Sequence, residues 1–97
     1  MVVMRFKVKV RPERAEDVRD ALEAVIAPSR ALQGVLHFDI ARDLSDPDSF
    51  IATEIYEDKS VLDRQEALPE VEAALALIRG CTVDREATLY HVSASEE

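Results

Sequence analysis

Tryptophan and asparagine are absent from this 97-residue sequence, cysteine occurs once, glycine twice, and aromatic side chains make up 5% of it. Each scarcity excludes something. With Gly34 and Gly80 as the only glycines, no glycine-rich loop is available to cradle a phosphate. Cys81 has no partner for an internal disulfide, which suits a reducing cytoplasm. Met1-Val2-Val3-Met4 leads straight into alternating charge, so no signal peptide is expected. No apolar run approaches the about 20 residues needed to cross a membrane. Twelve basic against twenty acidic residues give a net charge of −8, which argues against nucleic acid or an anionic membrane surface as partner.

What is present suffices for one small domain, expected over residues 1–93 with a frayed tail at 94–97. Apolar residues are 47% of the chain, enough for one core, but a chain this short buries only about 65% of its extended surface. Val2, Met4, Phe6, Val8 and Val10 alternate with Val3, Arg5, Lys7, Lys9 and Arg11, the pattern of a strand with an apolar and a basic face. Pro12 ends it, and the acidic turn from Glu13 to Asp17 suits a helix start. Ala15, Val18, Leu22, Val25 and Ile26 recur at helical spacing until Pro28, which predicts an end or kink near Ala27.

A second strand is expected over Val35–Asp43, with Leu36, Phe38 and Ile40 on one side and His37, Asp39 and Ala41 on the other. Leu44 to Ser49 reads as a longish polar hairpin loop. The stretch from Phe50 to Leu62 organises the rest. Phe50, Ala52, Glu54 and Tyr56 share one side of a strand, then Asp58 or Ser60 caps a helix. Helical periodicity runs from Lys59 to Arg79, interrupted at Pro69 and capped by Gly80; a fourth strand is expected from Cys81 to Val92. The order β-α-β-β-α-β predicts an α+β, ferredoxin-like fold: a four-stranded antiparallel sheet with two helices on one face. The bare face would then expose Val3, Ile51, Ile55, Tyr90 and Val92, a patch that a second copy would cover as a homodimer.

Several stretches resemble one family. Val-Val-Met-Arg-Phe-Lys-Val-Lys-Val-Arg-Pro-Glu-Arg at the start, Ile-Ala-Pro-Ser-Arg-Ala-Leu-Gln-Gly-Val-Leu-His-Phe-Asp-Ile-Ala-Arg-Asp, Asp-Pro-Asp-Ser-Phe, Glu-Ile-Tyr-Glu-Asp and Ala-Thr-Leu-Tyr occur in the order found in the antibiotic biosynthesis monooxygenase (ABM) domain. The resemblance implies a dimeric α/β-barrel with a pocket in each subunit between sheet and helices. Its members include cofactor-independent, quinol-monooxygenase-like oxygenases of anthrones and quinols, haem-degrading enzymes, and an isomerase- or lyase-like branch. The haem-degrading branch relies on Asn, Trp and His, and this chain has neither Asn nor Trp. Where the family's second helix commonly carries two His around a Pro, this chain has Gln65 and Glu70 around Pro69; Tyr56 stands where many members have Trp.

The candidate catalytic residues are Glu54, Tyr56 and Gln65. A carboxylate beside Phe6, Phe38 and Phe50 would be desolvated toward the proton affinity of a useful base; the plainer alternative is a salt bridge from Glu54 to a neighbouring arginine, with Tyr56 as core. Gln65 shares a helical stripe with Val61, Leu62 and Leu68, so it either hydrogen-bonds a ligand or is a solvated or capping residue. Glu70 suits a helix first turn. His37-x-Asp39 with His91 has the residue types of an iron site, but His91 lies in an end strand with parity opposite to Tyr90, so no metal is expected. Asp39 is expected to pair with the basic residues of the first strand. Phe6, Phe38, Phe50 and Leu75 would wall the pocket and bind substrate.

The function expected is a monooxygenase needing no cofactor. It would act on an electron-rich aromatic, quinol or anthrone-like, with molecular oxygen as co-substrate. The alternatives are a non-catalytic dimeric small-molecule-binding or stress-response module of the same fold, and an isomerase of a small carbonyl compound.

Overall fold

The computed structural model describes residues 1–93; the tail expected at 94–97 lies outside the described residues. Strand β1 (Val2–Val10) leads through a 3-10 turn at Pro12–Arg14 into helix α1 (Ala15–Ala31). Strands β2 (Val35–Asp43) and β3 (Asp46–Tyr56) form a hairpin, followed by helices α2 (Lys59–Glu66) and α3 (Pro69–Arg79) and strand β4 (Thr82–His91). The sheet order is β2-β3-β1-β4 with every neighbouring pair antiparallel. This is the ferredoxin-like α+β plan, with all helices on one face.

The inward row of β1 is Val2, Met4, Phe6, Val8 and Val10, and that of β3 is Phe50, Ala52, Glu54 and Tyr56; the register sets Phe6 beside Ala52 and Met4 beside Glu54. Against them α1 buries Ala15, Val18, Leu22, Val25 and Ser29, and α3 buries Val71, Ala74 and Ile78. A main cluster of Val8, Val10, Val18, Leu22, Phe50, Ile78 and Cys81 closes the end near the β2–β3 hairpin. Tyr56 packs with Val2, Val61 and Leu62 at the other end. β4 is a thinly covered edge: Ala87 and Arg85, on its inward side beside Phe6 and Val8, are exposed.

Four local readings are corrected. Helix α1 does not stop near Ala27 but runs through Pro28 to Ala31. Proline there removes one hydrogen bond in the last turn, and the buried Ser29 and the reach of Arg30 to the Phe38 carbonyl (2.9 Å) and to Asp39 (3.1 Å) hold that turn. Asp39 therefore pairs with α1, through Arg30, rather than with β1. The basic stripe finds other acids: Arg5 pairs with Glu86, Lys7 with Asp43, Lys9 with Asp46 and Arg11 with Glu13.

The hairpin loop is short. β3 begins at Asp46, leaving Leu44 and Ser45 as the turn. Asp43 accepts hydrogen bonds from the Ser45 amide (2.8 Å) and hydroxyl (2.7 Å), and Asp46 from the Asp48 amide (3.1 Å) and Ser49 hydroxyl (2.9 Å). These side chains satisfy the backbone that a polar loop would have left to water. Lastly, Leu36 does not share the inward side with Phe38. A register shift between Val35 and His37 makes Leu36 the extra residue, 45% exposed, while Val35 packs inward.

Two local features lie at the start of α2, a side-chain cap and a close approach of the chain that leads into β2. Asp58 Oδ1 accepts from the Ser60 amide (2.9 Å) and the Val61 amide (3.3 Å). Gly34, at φ +94°, turns the chain into β2 so close to α2 that a Cβ would lie 2.6 Å from Val61 Cγ2. The second helical stretch breaks at Leu68, which is extended ahead of Pro69.

Candidate functional site

Between sheet and helices lies a cavity of about 150 Å³. Its floor comes from β1, β2 and β3: Met4, Phe6, Phe38, Ile40, Ala52 and Glu54. Its roof comes from the helices, Leu22 and Val25 of α1, Leu62 and Gln65 of α2, and Val71, Ala74, Leu75 and Ile78 of α3. The opening is marked by the exposed members of the lining, Glu66 of α2 with Arg85 and Ala87 of β4. The space exists because Ala52 is small: in its row across the sheet, Phe6 and Ile40 stand on either side of it.

Glu54 sits in this lining with 8% of its surface exposed, flanked in the sheet by Met4 and Phe38. Among the described residues it forms no ion pair, so the salt-bridge alternative is set aside. Its partner is Tyr56, two residues on along the same face, whose hydroxyl donates to Glu54 Oε1 at 2.5 Å. Burial pushes the Glu54 carboxyl up to about 7; the Tyr56 hydrogen bond opposes this and the charge of Glu66 adds to it. Burial, followed by the neighbouring Glu54 charge, raises the Tyr56 phenol as well. Tyr56 is wholly buried and is not part of the cavity lining; it acts on the site through Glu54.

Gln65 is 3% exposed and lines the cavity, so it is neither solvated nor a cap. Its Nε2 donates to the Ser29 hydroxyl at 3.1 Å, bracing α2 against α1. No buried side-chain nitrogen or oxygen among the described residues lacks a partner. Since Glu54 Oε2 and Gln65 Oε1 make no hydrogen bond to the described residues, both are atoms that the cavity can still reach.

Of the expected pocket walls, Phe6, Phe38 and Leu75 line the cavity. Phe50 does not: it lies in the core cluster toward the hairpin, with the Arg42 guanidinium 5.0 Å from its ring centre. Glu70 is exposed in the first turn of α3, away from the lining. No group of three or more His, Cys, Asp or Glu fit to hold a metal occurs among the described residues. Sequence reasoning missed Ser29, Glu66 and Arg85. Ser29 continues the Val18, Leu22, Val25 stripe of α1 and could have been found that way. Arg85 shares the parity of Ala87 and Leu89, but its position over Phe6, 5.5 Å from the ring centre, depends on β4 pairing with β1.

No helix among the described residues is long and apolar enough to cross a membrane. No curated protein matches the sequence. Solved structures do. A crystal structure of an antibiotic biosynthesis monooxygenase is 21% identical, with a TM-score of 0.87 over 97% of this chain and 100% of the other. The Rv0793 protein of Mycobacterium tuberculosis is 20% identical, with a TM-score of 0.87 over 99% and 98%. The PA3566 protein of Pseudomonas aeruginosa is 22% identical, with a TM-score of 0.85 over 96% and 94%. At these identities the likeness is one of fold. The sequence itself matches the family model described as antibiotic biosynthesis monooxygenase over residues 1–77, and the chain belongs to that family.

Proposed function

We propose that the protein is a cofactor-independent monooxygenase of an electron-rich aromatic, quinol or anthrone-like, with molecular oxygen as co-substrate. The observation that carries this reading is Glu54: a carboxyl group without an ion pair among the described residues, held in an apolar cavity, whose proton affinity is raised to about 7. Ground-state oxygen reacts slowly with closed-shell organic molecules, so the substrate must first become an electron-rich anion. Glu54 takes the hydroxyl proton, and Tyr56 holds the carboxylate in place. Gln65, whose Nε2 is held by Ser29, turns Oε1 to the cavity, where it can accept a hydrogen bond from a second hydroxyl of the substrate and orient the ring. The anion passes electrons to oxygen and a carbon–oxygen bond forms at the ring, giving a hydroperoxide. Its O–O bond breaks as the ring loses its remaining proton, and one oxygen departs as water. A quinol thus becomes a hydroxyquinone, and the substrate itself supplies all the electrons. Leu22, Val25, Leu62 and Leu75 exclude water from the anion.

The reading includes a homodimer through the bare sheet face, where Val3, Ile51 and Ile55 are half-buried and Tyr90 is 49% exposed. It also includes a cytoplasmic setting, which suits the buried free thiol of Cys81. A binding module without catalysis is the second reading, favoured by the lack of any imidazole or thiol in the cavity lining. Oxygen uptake with a panel of quinols separates the two. Turnover that falls at least about 100-fold in Glu54→Gln supports the base. Uptake that survives this change refutes it, and conversion of a carbonyl substrate without oxygen uptake points to an isomerase.

A further inference from the structure

The volume of the cavity narrows the substrate. We propose that it selects a single six-membered ring bearing an ionisable hydroxyl and rejects fused two- and three-ring skeletons; this rests on Glu54 as the group that meets the hydroxyl.

The cavity's 150 Å³ equals that of an engineered protein cavity, about 150 Å³, that takes up benzene. Sites for larger, drug-sized ligands run to about 300–1,000 Å³. The walls fix this limit in two directions. Across the sheet, Phe6 and Ile40 stand on either side of Ala52, so their backbones are two strand spacings apart, about 10 Å, less the width of both side chains. That leaves room for one ring over Ala52. Toward the helices, Ala74 is the small residue above and Leu75 flanks it.

A longer skeleton would have to project through the opening, where Glu66 and Arg85 stand. Neither is in an ion pair with another described residue, so both depend on water. An apolar second ring lodged between them would strip that water without replacing its hydrogen bonds. Arg85 also lies over the Phe6 ring, 5.5 Å from its centre, within the same cavity lining. A single ring avoids that loss of water. Its hydroxyl meets Glu54, and a second hydroxyl can reach Gln65 Oε1.

The test is binding under nitrogen, by calorimetry, of 1,4-dihydroxybenzene, 1,4-dihydroxynaphthalene and 9,10-dihydroxyanthracene to the full chain. The one-ring compound should bind at least about tenfold more tightly than the two-ring compound, and the three-ring compound should not saturate. Ala52→Leu, with the fold checked by circular dichroism, should abolish one-ring binding. Leu75→Ala should bring the two-ring compound to within about threefold of the one-ring compound. Equal or tighter binding of either fused compound overturns the size limit alone, and the base is still judged by the oxygen uptake of Glu54→Gln. One-ring binding without oxygen uptake upholds the size limit and overturns the oxygenase reading. If none of the three binds, both fall.

Discussion

Replacing Glu54 by glutamine should make the protein more stable above neutral pH, although the residue is the proposed base. Glu54 titrates near 7 in the folded chain and ordinarily near 4.5. Its folded-state value is therefore raised. The native state holds this proton more tightly than the unfolded chain does, so the contribution to stability is complete below about 4.5. It is lost as pH rises through about 7. The gap corresponds to about 3 kcal/mol, a large part of the about 5–15 kcal/mol that holds a small domain folded.

Glutamine keeps an acceptor for the Tyr56 hydroxyl and carries no titrating proton. The variant should therefore match the wild type near pH 4.5 and exceed it by about 3 kcal/mol at pH 8. In urea this is a midpoint difference of about 1–3 M that opens between those pH values. Both proteins are compared at one concentration, since dimerisation would contribute to each. Every other titrating group is common to the two proteins, so the difference isolates Glu54. A difference that stays flat from pH 4.5 to 8 would refute the account, because it would mean that Glu54 is solvated or paired in solution.

Three further outcomes test the surroundings of that carboxyl group. Tyr56→Phe removes the hydrogen bond that favours the Glu54 carboxylate, so the rising limb of the pH–rate profile should move to higher pH by about one to two units; an unmoved limb means that the phenol does not tune the base. Gly34→Ala forces a side chain onto a positive φ and against Val61, which should cost about 1–3 kcal/mol in urea unfolding and lower turnover by displacing α2 with Gln65. Ile55→Asp puts a charge in the middle of the bare sheet face and should leave a monomer in sedimentation velocity at micromolar concentration; an unchanged mass would place the contact elsewhere.

What could be read from the sequence was whatever a period of two or of 3.6 carries. The alternation that put Glu54 and Tyr56 on one side of β3, with Phe50 and Ala52, matches the structure. So does the break at Pro69. Where the reading failed, a nonlocal contact had overruled a local rule. Pro28 did not end α1, because Arg30 and Ser29 had partners on β2 and α2. Leu36 left the inward row because it is itself the extra residue of a register shift, which gives the inward place to Val35. Phe50 has the right parity for a pocket wall but lies a full strand repeat too close to the hairpin, and alternation gives the side of a strand without the position along it.

The place of the cavity, between sheet and helices, was legible in advance, but its volume was not. Its size comes from an absence of side-chain bulk at Ala52, at a crossing of β1, β3 and β2 that register alone defines. A base can be nominated from the residue type and its apolar neighbours. The room in front of it is set by which small residue the register brings alongside, and so specificity in a fold shared so widely can change at Ala52 or Ala74 while Glu54 stays where it is.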